Sequence, residues 1–154
     1  MAYFATPLRL DYVDGRAWIV AEPLVFVRNR SAYLSSLRST QSTTACGFPY
    51  LEIDDPSVAI IVPKKFRCDM ASIPRFFWRI LPPVGAGGEH GDYGPAAVIH
   101  DYSYQTQRMS RKEADALFLE AMTVLDISAW RKWSMWLGVR AFGWAAWRNH
   151  RRKK

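Results

Sequence analysis

Residues 93–122 constrain the fold most, because their start signals define two consecutive helices. Pro95 stands where a first helix would begin, a position at which the missing N–H of proline costs nothing. Ser110 and Glu113 form the Ser-x-x-Glu pattern of a capping box, which begins a second helix. About five residues connect the two helices, and a connection of that length predicts that they pack as antiparallel neighbours.

The same stretch predicts that polar side chains of the two helices meet. His100 and Tyr104 are one turn apart and share a face of the first helix. Apolar residues recur at helical spacing along the second helix, and Asp115 lies at the edge of that stripe. We therefore expect His100 and Asp115 to lie within direct or one-water hydrogen-bonding distance.

Apolar runs of strand length occupy the N-terminal half of the chain. Residues 8–13 and 17–20 flank an Asp-Gly pair, which is a strong hairpin signal because type I′ turns need positive φ. The other predicted strands are residues 24–27, 50–53 and 58–62. Strands first and helices after them indicate an α+β fold, in which a small antiparallel sheet packs with the helix pair and a long C-terminal helix.

The length of 154 residues predicts a single domain, 1–154, with a core of its own. Within it, residues 31–47 are rich in Ser and Thr and have little apolar periodicity, which predicts a mobile loop. Cys46 and Cys68 are too few for a disulfide scaffold and lack metal-ligand spacing, so they indicate a reducing compartment. The chain starts without the pattern of a signal peptide, and no stretch reaches the roughly 18 uncharged apolar residues of a membrane span.

The last predicted helix, which begins near residue 128 and ends near residue 149, carries most of the tryptophan and all of the excess charge. Residues 128–154 hold eight Lys/Arg and no acid, whereas the rest of the chain holds 13 Lys/Arg and 14 Asp/Glu. Apolar residues follow two stripes of this helix, so one can be buried in the domain while the other is offered to a partner. The residues predicted to form this interface are Trp130, Trp133, Arg140, Trp144 and Trp147.

Four motifs follow one another between residues 50 and 148. They are Asp-x-Ala-Ser-Ile-Pro at 69–74, His-Asp-Tyr-Ser-Tyr at 100–104, Arg-x-x-Ala-Asp-x-x-Phe at 111–118 and Val-Arg-x-Phe-Gly-x-x-Ala-Trp at 139–147. Together they resemble the phage and prophage domain-of-unknown-function family number thirteen fifty-three. The resemblance implies a phage or prophage origin, with synthesis in the host cytoplasm, and no established activity. It also predicts that Asp69 and Ser72 lie near the start of the His100 helix.

A His-Asp-x-x-Tyr helix with an Asp from a second, antiparallel helix is similar to the calcium-dependent secreted phospholipases A. In that family the His activates water, the neighbouring Asp binds calcium, and the Tyr and the second Asp orient the His. The resemblance implies that His100 is the base, that Asp101 binds a divalent metal such as calcium, and that Tyr104 and Asp115 are supports. The paired cysteines that flank the phospholipase helix are absent here. Asp69 is either a further acid at this metal site or, with Ser72, a turn and cap residue.

Two classes of function stay open. In the first, the chain is a hydrolase-like protein whose His100 and carboxylates act on lipid or other cell-envelope bonds. In the second, it is a noncatalytic virion or tail protein, and His100 is simply hydrogen-bonded between two helices. The C-terminal helix would then bind a phage or host protein, an anionic membrane surface, or a second copy of the chain. Arg140 argues against a membrane span, and a domain that is otherwise neutral to acidic argues against nucleic acid.

Overall fold

The computed structural model describes residues 1–14, 17–40, 55–68 and 93–152. The strands are β1 (Tyr3–Phe4), β2 (Leu10–Asp14), β3 (Ala17–Val20), β4 (Leu24–Val27), β5 (Ala59–Val62) and β6 (Arg67–Cys68). The helices are α1 (Arg30–Thr40), α2 (Gly94–Thr106), α3 (Arg111–Val124) and α4 (Ala129–Arg152). The predicted α+β class is confirmed.

The strands form two small antiparallel sheets. The predicted hairpin is present as β2 and β3, and β6 pairs with the other edge of β3. In the second sheet, β4 lies between β1 and β5, and all four of its residues are buried. The strand predicted at 50–53 lies outside the described residues, and β5, predicted as the strand at 58–62, pairs with β4.

α1 corrects the prediction of a loop over residues 31–47, because the described part of that range is helical. The side chain of Asn29 accepts a hydrogen bond from the backbone N–H of Ala32 and caps the helix. The ring of Tyr33 is buried against β4 and β5, which holds the helix on the sheet. The hydroxyl of Ser36 donates to the carbonyl four residues earlier, so it bonds within the helix and does not unwind it.

α2 and α3 form the predicted helix pair. Pro95 lies in the first turn of α2, and Gln107 ends that helix with a left-handed φ of 51°. At the start of α3 both halves of the capping box are present. The backbone N–H of Glu113 donates to Ser110 Oγ at 3.3 Å, and the backbone N–H of Ser110 donates to the Glu113 carboxylate at 2.7 Å. This turn brings α3 back along α2 and places their polar residues side by side.

α4 packs on the helix pair with one side and leaves the other side uncovered. Met135 and Val139 are buried in the core that α2 and α3 share with strands of both sheets. Phe142, three residues after Val139, is 51% exposed. The buried thiol of Cys68 donates to the backbone carbonyl of Trp18 at 3.7 Å. Within the described residues, no helix is long and apolar enough to cross a membrane.

Candidate functional site

Asp115 is fully buried and lies at the centre of a polar network that joins three helices. Its Oδ1 lies 3.1 Å from Nε2 of His100 and accepts a 2.6 Å hydrogen bond from the hydroxyl of Tyr104. Its Oδ2 accepts a 2.8 Å hydrogen bond from Nη1 of Arg140, and Nη1 of Arg111 lies 3.5 Å away. The predicted contact between His100 and Asp115 is therefore confirmed.

Aromatic rings enclose this network. The rings of His100 and Tyr104 are 4.2 Å apart, as expected for neighbours on successive turns of one helix. Phe118 of α3 lies 4.9 Å from the His100 ring, and Trp147 of α4 meets the Tyr104 ring edge-on at 5.0 Å. As a result, His100 is only 3% exposed and Tyr104 1% exposed. Trp147, predicted as an interface residue, is half-buried against the site.

Arg140 belongs to the same network, whereas helical spacing had placed it on an outer interface with Trp133 and Trp144. Its guanidinium donates to Asp115, and its backbone carbonyl accepts a 3.1 Å hydrogen bond from Arg111. The outward prediction was wrong because an arginine side chain is long enough to reach around its own helix. A buried carboxylate needs a cation, and Arg140 is a base without an acid within one turn of α4. No acid occurs in residues 128–154, so every basic residue of α4 shares this feature, and it does not single out Arg140.

Asp115 is held as an anion. Burial alone raises the pKa of this carboxyl, but hydrogen bonds from His100, Tyr104 and Arg140 outweigh burial and keep the pKa below its usual value. The pKa of the Tyr104 hydroxyl is raised, because the ring is buried and because Asp115 accepts its proton in a hydrogen bond. Tyr104 therefore stays protonated and acts as a donor to the carboxylate.

His100 is neutral, and its hydrogen bond defines its tautomer. Burial lowers the pKa of His100 below 6.5, although the neighbouring Asp115 acts in the opposite direction. An ionised carboxylate can only accept hydrogen bonds, so the proton of the ring is assigned to Nε2. Nδ1 then carries the lone pair. A neutral imidazole in this state has the chemistry of a general base.

The lowered pKa of His100 predicts that the fold loses stability in mild acid. A histidine whose pKa is depressed by folding stabilises the protein fully above its unfolded value of 6.5, and this contribution is lost as the pH falls through the folded pKa. We expect urea unfolding between pH 8 and pH 5 to show this loss in the wild type. The loss should be smaller in His100→Gln. If the free energy of unfolding falls equally with pH in the two proteins, the lowered pKa of His100 is contradicted.

Gly143 of α4 makes room for the hydroxyl of Tyr104. A Cβ at this position would lie 2.5 Å from the Tyr104 oxygen, which is closer than real Cβ contacts. The hydroxyl cannot move away without leaving Asp115, to which it donates at 2.6 Å. The glycine is therefore required by the network and not by its backbone conformation.

We expect Gly143→Ala to destabilise the wild type and to stabilise Tyr104→Phe. Losing a hydrogen bond to a charged group costs about 1.5–3 kcal/mol, whereas alanine in a helix gains about 1 kcal/mol over glycine. Without the hydroxyl, the Cβ would lie 3.4 Å from the ring carbon Cζ, which small shifts can accommodate. Urea unfolding of the wild type, the two single variants and the double variant measures whether Gly143→Ala changes from destabilising to stabilising. Ala141→Gly, on the exposed side of α4, calibrates the helix propensity. Equal effects in both backgrounds would contradict the steric argument.

The predicted metal ligands are only partly described. Asp101 follows His100 on α2 and is 5% exposed. No group of three or more His, Cys, Asp or Glu side chains that could hold a metal ion occurs in the part of the chain that the structure describes. Asp69 and Ser72 lie outside that part, so their place near the start of α2 stays a prediction.

The predicted interface residues separate into an exposed group and a half-buried group. Trp130, Trp133 and Trp144 are about half exposed or more. Arg140 and Trp147 are half-buried and contact the network around Asp115. The exposed group offers the larger surface to a partner, and the binding role of all five stays a prediction.

The match to a protein family covers most of the site. A family model described as "Protein of unknown function (DUF1353)" matches residues 47–139, a range that contains His100, Tyr104 and Asp115 and ends just before Arg140. The chain is 33% identical over 91 residues to the uncharacterized protein y4jT of Sinorhizobium fredii (strain NBRC 101917 / NGR234). The aligned part is 58% of this chain and 26% of y4jT, so the chain spans about a quarter of that curated relative. No solved structure matches.

Proposed function

The chain belongs to the DUF1353 family, and from the geometry around Asp115 we propose that it is a hydrolase whose general base is His100. The observation that carries the proposal is the 3.1 Å contact between Nε2 of His100 and Oδ1 of Asp115. This contact fixes the ring and leaves the lone pair of Nδ1 for a proton from water. A phage or prophage origin, implied by the order of the motifs, is part of the same proposal.

Each member of the network has a role in that chemistry. Nδ1 of His100 takes a proton as the oxygen of a water molecule attacks the carbonyl carbon of an ester or amide. It then returns that proton to the alcohol or amine that leaves when the C–O or C–N bond breaks. Asp115 stabilises the imidazolium that forms, in the way that a buried carboxylate supports the histidine of other hydrolytic sites. Tyr104 and Arg140 act as positioning residues, since they hold the two oxygens of Asp115. We propose lipid or other cell-envelope esters and amides as the substrate class.

Asp101 is the residue that would hold a divalent cation in this proposal, with Asp69 as a further ligand. A buried carboxylate fits calcium, which takes hard oxygen ligands. When bound, the cation would supply positive charge to the oxyanion that develops on the substrate.

We expect calcium to bind the wild type and to bind Asp101→Asn at least tenfold more weakly. The amide is neutral, so it loses the charge that attracts the cation but keeps one oxygen. Isothermal titration with calcium measures this binding without substrate, and a chelator should remove any hydrolysis. Equal titrations for both proteins would exclude Asp101 as a ligand.

The proposed hydrolase is tested with purified wild type and His100→Ala on anionic phospholipid vesicles and on soluble short-chain esters. Release of acid by the wild type, lost in the variant while its circular dichroism is unchanged, supports the proposal. Turnover that is equal in both proteins would rule out His100 as the base. No turnover on either substrate would remove esters from the proposed class.

The burial of the network favours a second candidate, a noncatalytic virion or tail protein. A histidine and a tyrosine that are 3% and 1% exposed can also serve only to lock three helices together. In that case the protein should be present in purified phage particles at fixed stoichiometry. Particles carrying His100→Ala should then assemble normally if that variant folds.

A further inference from the structure

The side of α4 that faces away from the domain carries large apolar side chains. Trp130 is 60% exposed, Trp133 48%, Leu137 59% and Trp144 53%. At 100° per residue these four lie within an arc of about 60°, and about 21 Å separates the first from the last along the helix axis. We call these four residues the tryptophan face.

Nothing else in the described part of the domain can cover this face by a small adjustment. The opposite side of α4 is already committed, because Met135 and Val139 are buried in the core. The ring of Trp133 packs against the ring of Trp136, with centroids 5.5 Å apart. Trp136 also lies on α4, so this contact brings no other element over the face. A face this apolar on a folded domain indicates a surface that is covered from outside.

The charge next to the tryptophan face indicates what that surface is. Arg148 lies on the same side of the helix, and its guanidinium is 5.8 Å from the ring of Trp144. Residues 128–154 contain eight Lys/Arg and no acid, and four of the basic residues are the last four of the sequence. A surface that complements the tryptophan face is therefore apolar to a shallow depth and negatively charged where it meets the basic residues.

We propose that the tryptophan face docks α4 in the plane of an anionic lipid bilayer. Tryptophan rings are enriched at the headgroup level of membranes, and basic residues beside them are attracted to anionic lipids. A helix that is buried on one side and aromatic and basic on the other lies in the interface and does not span it. The inference concerns binding alone and does not depend on hydrolysis by the His100 site.

The test is co-sedimentation of the full chain with vesicles of phosphatidylglycerol and phosphatidylcholine and with vesicles of phosphatidylcholine alone. We expect the wild type to bind the anionic vesicles at least tenfold more strongly than the neutral ones. Binding should weaken as salt is raised. A wild type that ignores both kinds of vesicle, or binds them equally, would overturn the proposal.

Paired charge changes locate the binding surface. Trp133→Glu with Trp144→Glu should reduce binding to anionic vesicles at least tenfold. Val124→Glu with Phe142→Glu is the matched control, since both residues are exposed, lie off the tryptophan face and add the same charge. It should bind within about twofold of the wild type. Equal losses in both pairs would mean that charge alone binds the vesicles and would overturn the docking of this face.

Two further measurements keep the test decisive. Circular dichroism checks the fold of each variant, and Trp130→Glu replaces the double change if that protein does not fold. Sedimentation velocity without lipid measures self-association. A wild-type dimer that ignores vesicles and becomes monomeric in Trp133→Glu with Trp144→Glu would show that a second copy occupies the face, which would also overturn the proposal.

Discussion

Asp115→Ala is expected to lower the free energy of unfolding by about 3–5 kcal/mol, which is the usual cost of removing one partner from a buried ion pair. The carboxylate is the shared acceptor for His100, Tyr104 and Arg140. Alanine would leave the guanidinium without its counterion and two buried donors without an acceptor. Chemical denaturation of the purified variant measures the loss. A small domain of ordinary stability would be close to unfolded at 25 °C.

Glu120→Ala is the matched control for this change. Glu120 is also on α3 and also pairs with an arginine, Arg28, at 2.9 Å, but both side chains are about one-third exposed. Partly solvated pairs contribute about 1 kcal/mol or less, so this variant should lose far less stability than Asp115→Ala. Similar losses for the two changes would mean that the network around Asp115 does not hold the three helices together.

The helix pair and its central contact could be predicted because their signals are local. A capping box, a proline and helical spacing fix where α2 and α3 begin, and the short turn between them fixes which faces meet. These constraints place His100 opposite Asp115. The same reasoning holds for the β2–β3 hairpin, where a turn between apolar runs determines the pairing.

The errors arise where tertiary contacts override local preference. α1 has the composition of a loop, but the burial of Tyr33 against the sheet outweighs the weak helix propensity of its serines. Arg140 sits by spacing among residues that face outward, but a buried carboxylate on another helix attracts its guanidinium. Gly143 gave no signal of its role, because the atom that requires it belongs to Tyr104 on a different helix.

His100→Ala is expected to lower kcat/KM for the proposed hydrolysis by 10²- to 10⁴-fold, which is the usual contribution of a positioned general base. Tyr104→Phe should lower it by less than about tenfold, because the hydroxyl donates to Asp115, whose other oxygen Arg140 still holds. Chemical denaturation ranks the same variants by stability. Alanine at 100 removes a buried ring together with its hydrogen bond, whereas phenylalanine at 104 keeps the ring and removes one hydrogen bond.

The comparison of the two rankings separates catalysis from structure. His150→Ala is the control for loss of a histidine, since residue 150 is on α4 and is not one of the residues that bond to Asp115. Initial rates are measured on the substrate that the wild type turns over, with each variant checked by circular dichroism. If activity falls in proportion to stability across the series, the network only holds the three helices together. If the activity of His100→Ala falls far more than its loss of stability predicts, the imidazole takes part in the reaction, since a role in folding alone would not separate this variant from the trend.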